Sequence, residues 1–329
     1  SLVYTQESMD RLKRKGPPVL IGIPKETADQ EKRVVLTPEA VALLVNNGQR
    51  VVVEADAGKF SKFSDKDYAD AGAKVVYTSK EAYDAEVILK VEPPTEEEIN
   101  YMRQGACLIS ALQLGKQNAA FIHQLNQKKI TAVAFENLED KVGGMPVVRA
   151  MSEIAGSTVM LIAAEYLINV NDGKGLILGG ITGVPPTQVV IIGAGTVAEY
   201  AARTALGLGA NIKIFDNQIY KLRRIKQVLG QQVFTSTIDN YVLGQALKES
   251  DVVIGALRAE KGRSKIVVFE EMVSQMMEGS IIIDVSIDQG GCIETAEMTS
   301  HTQPVFKKHG VIHYCVPNIA SRVSRTASY

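Results

Sequence analysis

Val189-Val190-Ile191-Ile192-Gly193-Ala194-Gly195-Thr196-Val197-Ala198 is the stretch whose reading decides the fold. Four consecutive aliphatic residues describe a strand buried on both faces, and the chain then turns through G-x-G-x-x-A into an alanine-rich helix. Gly193 permits the tight turn and Gly195 leaves room for a pyrophosphate beside the backbone. Ala198 at the third position is small enough to let the helix approach the strand. A bound anion would rest on free N–H groups at the helix start, around Thr196 and Val197, where the macrodipole favours negative charge.

Working outward, Ile212-Lys213-Ile214-Phe215-Asp216 supplies the second strand of a βαβ unit. Asp216 closes it at about the 20-residue spacing at which an acid meets the ribose hydroxyls of a dinucleotide. Its carboxylate accepts from the hydroxyls of NAD and repels the additional phosphate of NADP, so NAD is the expected cofactor. Lys221, Arg223 and Arg224 are read as the solvated start of the next helix rather than as partners of a 2′-phosphate.

Composition fits a soluble enzyme. The 329 residues are more than one compact core accommodates and point to about two domains. With 46% hydrophobic residues and 36 basic against 37 acidic side chains, the chain has the balance of neither a disordered segment nor a nucleic-acid surface, so a small-molecule partner is expected. No uninterrupted apolar run reaches the ~18 residues of a membrane span, and the polar N-terminus shows no signal-peptide core. Cys107, Cys292 and Cys315 form no ligand cluster, and an odd number argues against a disulfide framework. These readings imply a cytoplasmic protein without a metal site.

Strands and helices alternate almost throughout. Val19-Leu20-Ile21-Gly22-Ile23 reads as a first strand, and Thr37-Pro38-Glu39 opens a helix with a capping side chain, a first-turn proline and an early acid. Further strands are expected at Val51-Val52-Val53, Lys74-Val75-Val76-Tyr77, Val87-Ile88-Leu89-Lys90-Val91, Ala106-Cys107-Leu108-Ile109 and Ile130-Thr131-Ala132-Val133-Ala134-Phe135. They describe a second parallel α/β domain, without a glycine fingerprint. A helix from Ser152 to Asn169 joins the halves. The cofactor half adds Val252-Val253-Ile254-Gly255, a strand from Ile281 to Ile287, and one from Val311 to Val316. The basic stretch Arg11-Leu12-Lys13-Arg14-Lys15 reads as a solvated face.

Ligands of open parallel sheets sit at the carboxyl ends of strands. That singles out Arg258, Asp288-Gln289-Gly290-Gly291 and Pro317-Asn318-Ile319. Asp288 has the position of a catalytic carboxylate and equally that of a turn cap. Arg33 is placed either to clamp a carboxylate through two parallel hydrogen bonds or simply to be solvated. His123, His301, His309 and His313 are scattered and read as surface or packing residues.

The motifs together resemble alanine dehydrogenase, with the related nicotinamide nucleotide transhydrogenase α subunit sharing the architecture. They are Gly22-Ile23-Pro24-Lys25-Glu26, Arg33-Val34, Leu36-Thr37-Pro38, Leu89-Lys90-Val91, Met151-Ser152-Glu153-Ile154-Ala155-Gly156, the glycine turn, Ile287-Asp288-Gln289-Gly290-Gly291-Cys292 and Cys315-Val316-Pro317-Asn318. The resemblance implies two Rossmann-like, doubly wound parallel-sheet α/β domains with a cleft between them. Residues 1–146 with 320–329 would form the substrate domain and 147–319 the NAD domain. The implied reaction is the NAD-dependent, reversible oxidative deamination of L-alanine to pyruvate and ammonia by a homo-oligomer, of hexameric form by the same resemblance. By match, Arg33 holds the substrate carboxylate, Asp288 orients water or ammonia, Asn318 and Ile319 line the nicotinamide pocket, and Ser152, Asp216 and Lys221 contact the cofactor. The family also continues beyond the position matching Tyr329.

Two departures bear on mechanism. The family's catalytic histidine lies in an L-H-L motif that reads Leu112-Gln113-Leu114 here. Glutamine orients a carbonyl but exchanges no proton near neutral pH. The family's substrate lysine, in K-V-K-E-P, falls at Glu92 in Lys90-Val91-Glu92-Pro93-Pro94. Lys90, two positions away on the same strand face, is the candidate substitute. A dehydrogenase for another amino or imino acid and an NAD(H)-binding subunit that passes hydride to a partner stand as alternatives.

Overall fold

The computed structural model describes residues 17–258 and 264–329, so residues 11–15 lie outside the described residues. It divides into two compact units. One holds the described residues up to Val147 together with Val323–Tyr329, and the other holds Val148–Arg322.

The first unit alternates strands β1 (Leu20–Ile23), β2 (Arg50–Glu54), β3 (Lys74–Val76), β4 (Val87–Leu89), β5 (Cys107–Ser110) and β6 (Thr131–Ala134) with helices α1 (Pro38–Asn46), α2 (Asp65–Asp70), α3 (Ser79–Tyr83), α4 (Glu96–Tyr101) and α5 (Ala119–Gln127). Side-chain caps start these short helices. Thr37 accepts from the Ala40 N–H with Pro38 in the first turn, and Ser64/Asp67, Thr78/Glu81 and Thr95/Glu98 form reciprocal capping boxes. The six strands are all parallel in the order β3-β2-β1-β4-β5-β6. Strand order reverses between β1 and β4, so loops leaving their carboxyl ends face one crevice. Helix α11 (Ser324–Ser328) returns the tail to this unit, where Ser328 Oγ accepts from the Val34 N–H at 3.0 Å, beside Arg33.

The second unit contains α6 (Pro146–Leu167) from Val148 onward, α7 (Thr196–Gly207), α8 (Ile219–Leu229), α9 (Asn240–Lys248) and α10 (Glu270–Ser274). Its strands are β7 (Gln188–Ile192), β8 (Asn211–Phe215), β9 (Phe234–Ser236), β10 (Val252–Gly255), β11 (Ile281–Asp284), β12 (Val305–Lys308) and β13 (Val311–Tyr314), ordered β12-β13-β11-β10-β7-β8-β9. All pairs are parallel except β12 with β13. The switch point lies between β7 and β10, and both strands are nearly continuously apolar because helices cover both faces. Each fully buried Val or Ile there contributes about 1.5–3 kcal/mol.

Several elements differ from the sequence expectation: the strand read as far as Val91 stops at Leu89, so Lys90 and Glu92 lie beyond its end, and β9 was not foreseen. The strand expected to reach Ile287 stops at Asp284, whose carboxylate turns back to accept from the Ser286 N–H, Ser286 Oγ and the Cys292 N–H. The joining helix starts at Pro146, several residues before Ser152, because proline is tolerated in a first helical turn. It is also long and apolar enough to cross a membrane by length and composition. Its Val159, Met160, Ile162, Ala163, Tyr166 and Leu167 instead join the core of the second unit. The antiparallel edge strand β12 was not signalled by periodicity.

Candidate active site

In the first unit the loops after β1 and β4 bring together Glu26, Glu31, Arg33, Lys90 and Glu92, and Gln113 joins them from beyond β5. Arg33 donates from Nε to Glu31 Oε1 at 2.8 Å and from Nη2 to Glu31 Oε2 at 2.6 Å, a bidentate pair. The same Nη2 lies 3.5 Å from Glu92 Oε1, and Gln113 Nε2 donates to Glu92 Oε2 at 2.8 Å. Glu26 sits behind this row and accepts from the N–H groups of Val91 and Glu92.

The Lys90 side chain, 1% exposed, lies 3.5 Å from Glu26 and 3.3 Å from Glu98. It is therefore enclosed by carboxylates, and the structure gives it an internal pairing role instead of the surface-facing one expected of a substrate lysine. Gln113 takes a left-handed backbone (φ 46°), a conformation that costs an L-residue about 1–2 kcal/mol. Glu136 Oε1 stabilises it by accepting from both the Leu112 and Gln113 N–H groups, at 2.9 and 2.8 Å.

Four carboxylates share this cluster with two cations, so not all are equally ionised. Burial, opposed chiefly by Lys90, pushes the Glu26 carboxyl up to about 7. Burial and then the charge of Glu31 hold Glu92 above the usual carboxylate range. Burial also works against ionised Glu98, yet Lys90 and the Thr95 N–H hold it below that range. For Arg33, burial disfavours the charge, but the hydrogen bonds and charge of Glu31 prevail and raise the pKa above the ordinary guanidinium value.

In the second unit, Gly193 has φ 110°, and a Cβ there would lie 2.4 Å from the Ala256 carbonyl of the neighbouring strand's loop. Only glycine fits. A Cβ on Gly195 would meet nothing within 4 Å, and Gly195 caps α7 without a side-chain acceptor. The first-turn N–H groups around Thr196 and Val197 are thus offered to a ligand above open space, which fits a dinucleotide pyrophosphate. Asp216, 3% exposed, accepts from the Ala194 N–H through Oδ2 and the Gln218 N–H through Oδ1, each at 2.8 Å. It shapes the glycine turn.

Arg224, read from sequence as solvated, pairs with the buried Glu199 at 2.7 Å and reaches the Ala194 carbonyl at 3.3 Å. Lys221 is half-buried in α8 and Ser152 half-buried in α6. Exposed Asp288 lies in the short turn Ile287–Gln289, anchored beneath by Asp284, which burial pushes above the usual range. Asn318 is exposed with φ 56°, and Ile319 is buried beside it.

Family models for the alanine dehydrogenase/PNT N-terminal and C-terminal domains match residues 22–155 and 159–329. The chain belongs to the alanine dehydrogenase/PNT family. It is 40% identical to alanine dehydrogenase of Bacillus subtilis over 94% of this chain and 82% of that protein. Its identity to alanine dehydrogenase of Methanococcus maripaludis is 39%, over 94% and 84%. An L-alanine dehydrogenase structure superposes with a TM-score of 0.89 at 39% identity, covering 94% of this chain and 85% of that one. A transhydrogenase from Sinorhizobium meliloti gives 0.83 at 28%, covering 94% and 90%.

Set against alanine dehydrogenase/PNT motifs, the geometry brings the two departures into contact with each other, since Gln113 and Glu92 are hydrogen-bonded. Sequence reasoning named both, along with Arg33 and Lys90, but missed Glu26, Glu31, Glu98 and Glu136. Glu98 closes a capping box with Thr95, and nothing local in the sequence shows that the same carboxylate also meets Lys90. Asp284 and Glu199 were missed for the same reason: their partners come from other segments.

Proposed function

We propose that this protein catalyses the NAD-dependent oxidative deamination of L-alanine to pyruvate and ammonia, and the reverse amination. The observation that carries the reading is Arg33. Its side chain keeps 12% exposure where those of Lys90 and Glu31 keep 1%, so it is the cation of the cluster that a small carboxylate reaches. Relatives named alanine dehydrogenase at about 40% identity support the choice of substrate.

NAD, held by the turn Gly193–Gly195, Thr196, Val197, Asp216, Lys221 and Ser152, would supply the acceptor for the hydrogen and electron pair leaving the substrate carbon. Asn318 and Ile319 would border its nicotinamide. Asp288 orients water or ammonia, and Gln113 orients the reacting carbonyl by way of its amide. Positioning of this kind accounts for much of a hydride-transfer enzyme's advantage.

The protein acts in the cytoplasm as a homo-oligomer, a hexamer by resemblance. Leu161, Val170, Ile177, Ile181 and Val184 of the second unit are exposed apolar side chains, which suits burial between subunits.

The test is a steady-state assay with NADH, ammonia and a panel of 2-keto acids. Pyruvate should give the highest kcat/KM. Preference for another keto acid overturns the assignment of alanine, and reduction of none overturns the dehydrogenase. A hydride-passing, transhydrogenase-like subunit is the second reading. It is favoured by the Gln113–Glu92 pair, which leaves the site without the family's histidine and lysine.

A further inference from the structure

We infer that Glu92 is the proton-exchanging group of this site, in place of the family's histidine. The inference rests on the dehydrogenase reading above. The chemistry needs such a group, and Gln113 has no titrating proton.

In the oxidative direction the amine loses a proton and the substrate carbon gives up hydrogen with its electron pair, leaving an iminium. Water adds to that carbon. One water proton passes to Glu92 and from it to the nitrogen; the C–N bond then breaks with its electron pair on nitrogen. The remaining hydroxyl proton passes to the departing ammonia as the carbonyl forms, and the products are keto acid and ammonium.

Geometry favours Glu92 for this among the carboxylates of the cluster. Its side chain keeps 19% exposure, against 1% for Glu31, 5% for Glu26 and 6% for Glu98. The Gln113 amide fixes one oxygen at 2.8 Å, and Arg33 stands 3.5 Å from the other. A substrate carboxylate on Arg33 therefore comes close to Glu92. Two like charges beside one guanidinium repel, so binding of the keto acid favours protonated Glu92, the form that donates in the amination direction. The groups facing it are Glu31 and Arg33 from the loop after β1, Glu26 behind its own N–H, Lys90 on its own strand end, and Gln113 from beyond β5. Glu31 and burial raise its pKa, while Arg33 and Lys90 pull it down.

The experiment compares wild-type, Glu92→Gln and Glu92→Asp proteins. In pyruvate amination, Glu92→Gln should lose roughly 10²-fold or more in kcat. Its KM for pyruvate should stay level or fall, because a like charge has gone, and the limb of the pH–rate profile set by this carboxyl should vanish. Glu92→Asp should restore part of kcat together with the limb. Independently of turnover, titration of pyruvate into the NADH-loaded enzyme without ammonia, in two buffers of different ionisation enthalpy, should show proton uptake by the wild type and none by Glu92→Gln. If the wild type neither binds nor reduces any keto acid, the dehydrogenase reading falls and takes this one with it. If the wild type is active and Glu92→Gln keeps its kcat, its pH limb and its proton uptake, the role of Glu92 is refuted and the dehydrogenase stands.

Discussion

The side-chain amide of Gln113 donates to Oε2 of Glu92 across 2.8 Å, joining the two positions at which the chain departs from family motifs. An amide is a donor that neither titrates nor carries charge, so it orients Glu92 and favours its ionised form less than a cation at that place would. Gln113→Leu removes the donor and leaves a half-buried carboxylate oxygen short of a partner, at a cost of about 1–2 kcal/mol. Urea unfolding should show that loss, and NADH affinity should not move. An unchanged midpoint would mean that water replaces the amide at no cost.

Arg33 performs two tasks that substitution separates. Glu31, nearly inaccessible to water, is paired with it by two hydrogen bonds. Arg33→Leu leaves that carboxylate buried without its cation and should destabilise the protein by about 3–5 kcal/mol. Arg33→Lys keeps the charge but cannot reproduce the planar fork. It should stay folded while KM for the keto acid rises at least tenfold. Equal KM values for Arg33→Lys and wild type would remove Arg33 from the substrate site.

The glycine turn provides a control within itself. Gly193→Ala places a methyl against the Ala256 carbonyl in a left-handed backbone, and both fold stability and NADH binding should suffer. Gly195 has ordinary φ of −82° and open space around it. Gly195→Ala should therefore melt within about 0.5 kcal/mol of wild type, yet bind NADH at least tenfold more weakly, because the methyl occupies the pyrophosphate's room. Unaltered NADH affinity in Gly195→Ala would contradict the placement of the cofactor.

How much of this was legible in the sequence follows the range of the interactions. The turn at Gly193, the Thr37 cap and the buried strands β7 and β10 are set by neighbours in the chain, and their pattern shows in the letters. The end of β11 at Asp284 was not legible, because the carboxylate there bonds to Cys292 across a loop. Lys90 illustrates the limit for the site. Period-two alternation placed it on the same strand face as Glu92, but Glu26 and Glu98, contributed by separate segments, enclose it. The sheet order creates the crevice, and the sequence does not state which acids the crevice will crowd together.

That crowding has a measurable consequence at Glu26. Burial raises its folded pKa to about 7 from an ordinary 4.5. A carboxyl whose pKa is higher folded than unfolded binds its proton more tightly in the folded state. Its contribution to stability is therefore complete below about pH 4.5 and is lost as pH rises through 7. A shift from 4.5 to about 7, at 1.36 kcal/mol per unit, corresponds to at most about 3–4 kcal/mol. Glu26→Gln retains a carbonyl oxygen for the Val91 N–H and carries no titrating proton. The stability of Glu26→Gln minus that of wild type, measured by urea unfolding, should consequently rise between pH 4.5 and 8 in favour of the variant. Lys90 opposes the trend, since it loses one of its two carboxylate neighbours in the variant and keeps Glu98. If the difference stays flat across that window, Glu26 is ionised throughout and Lys90 compensates its burial in full.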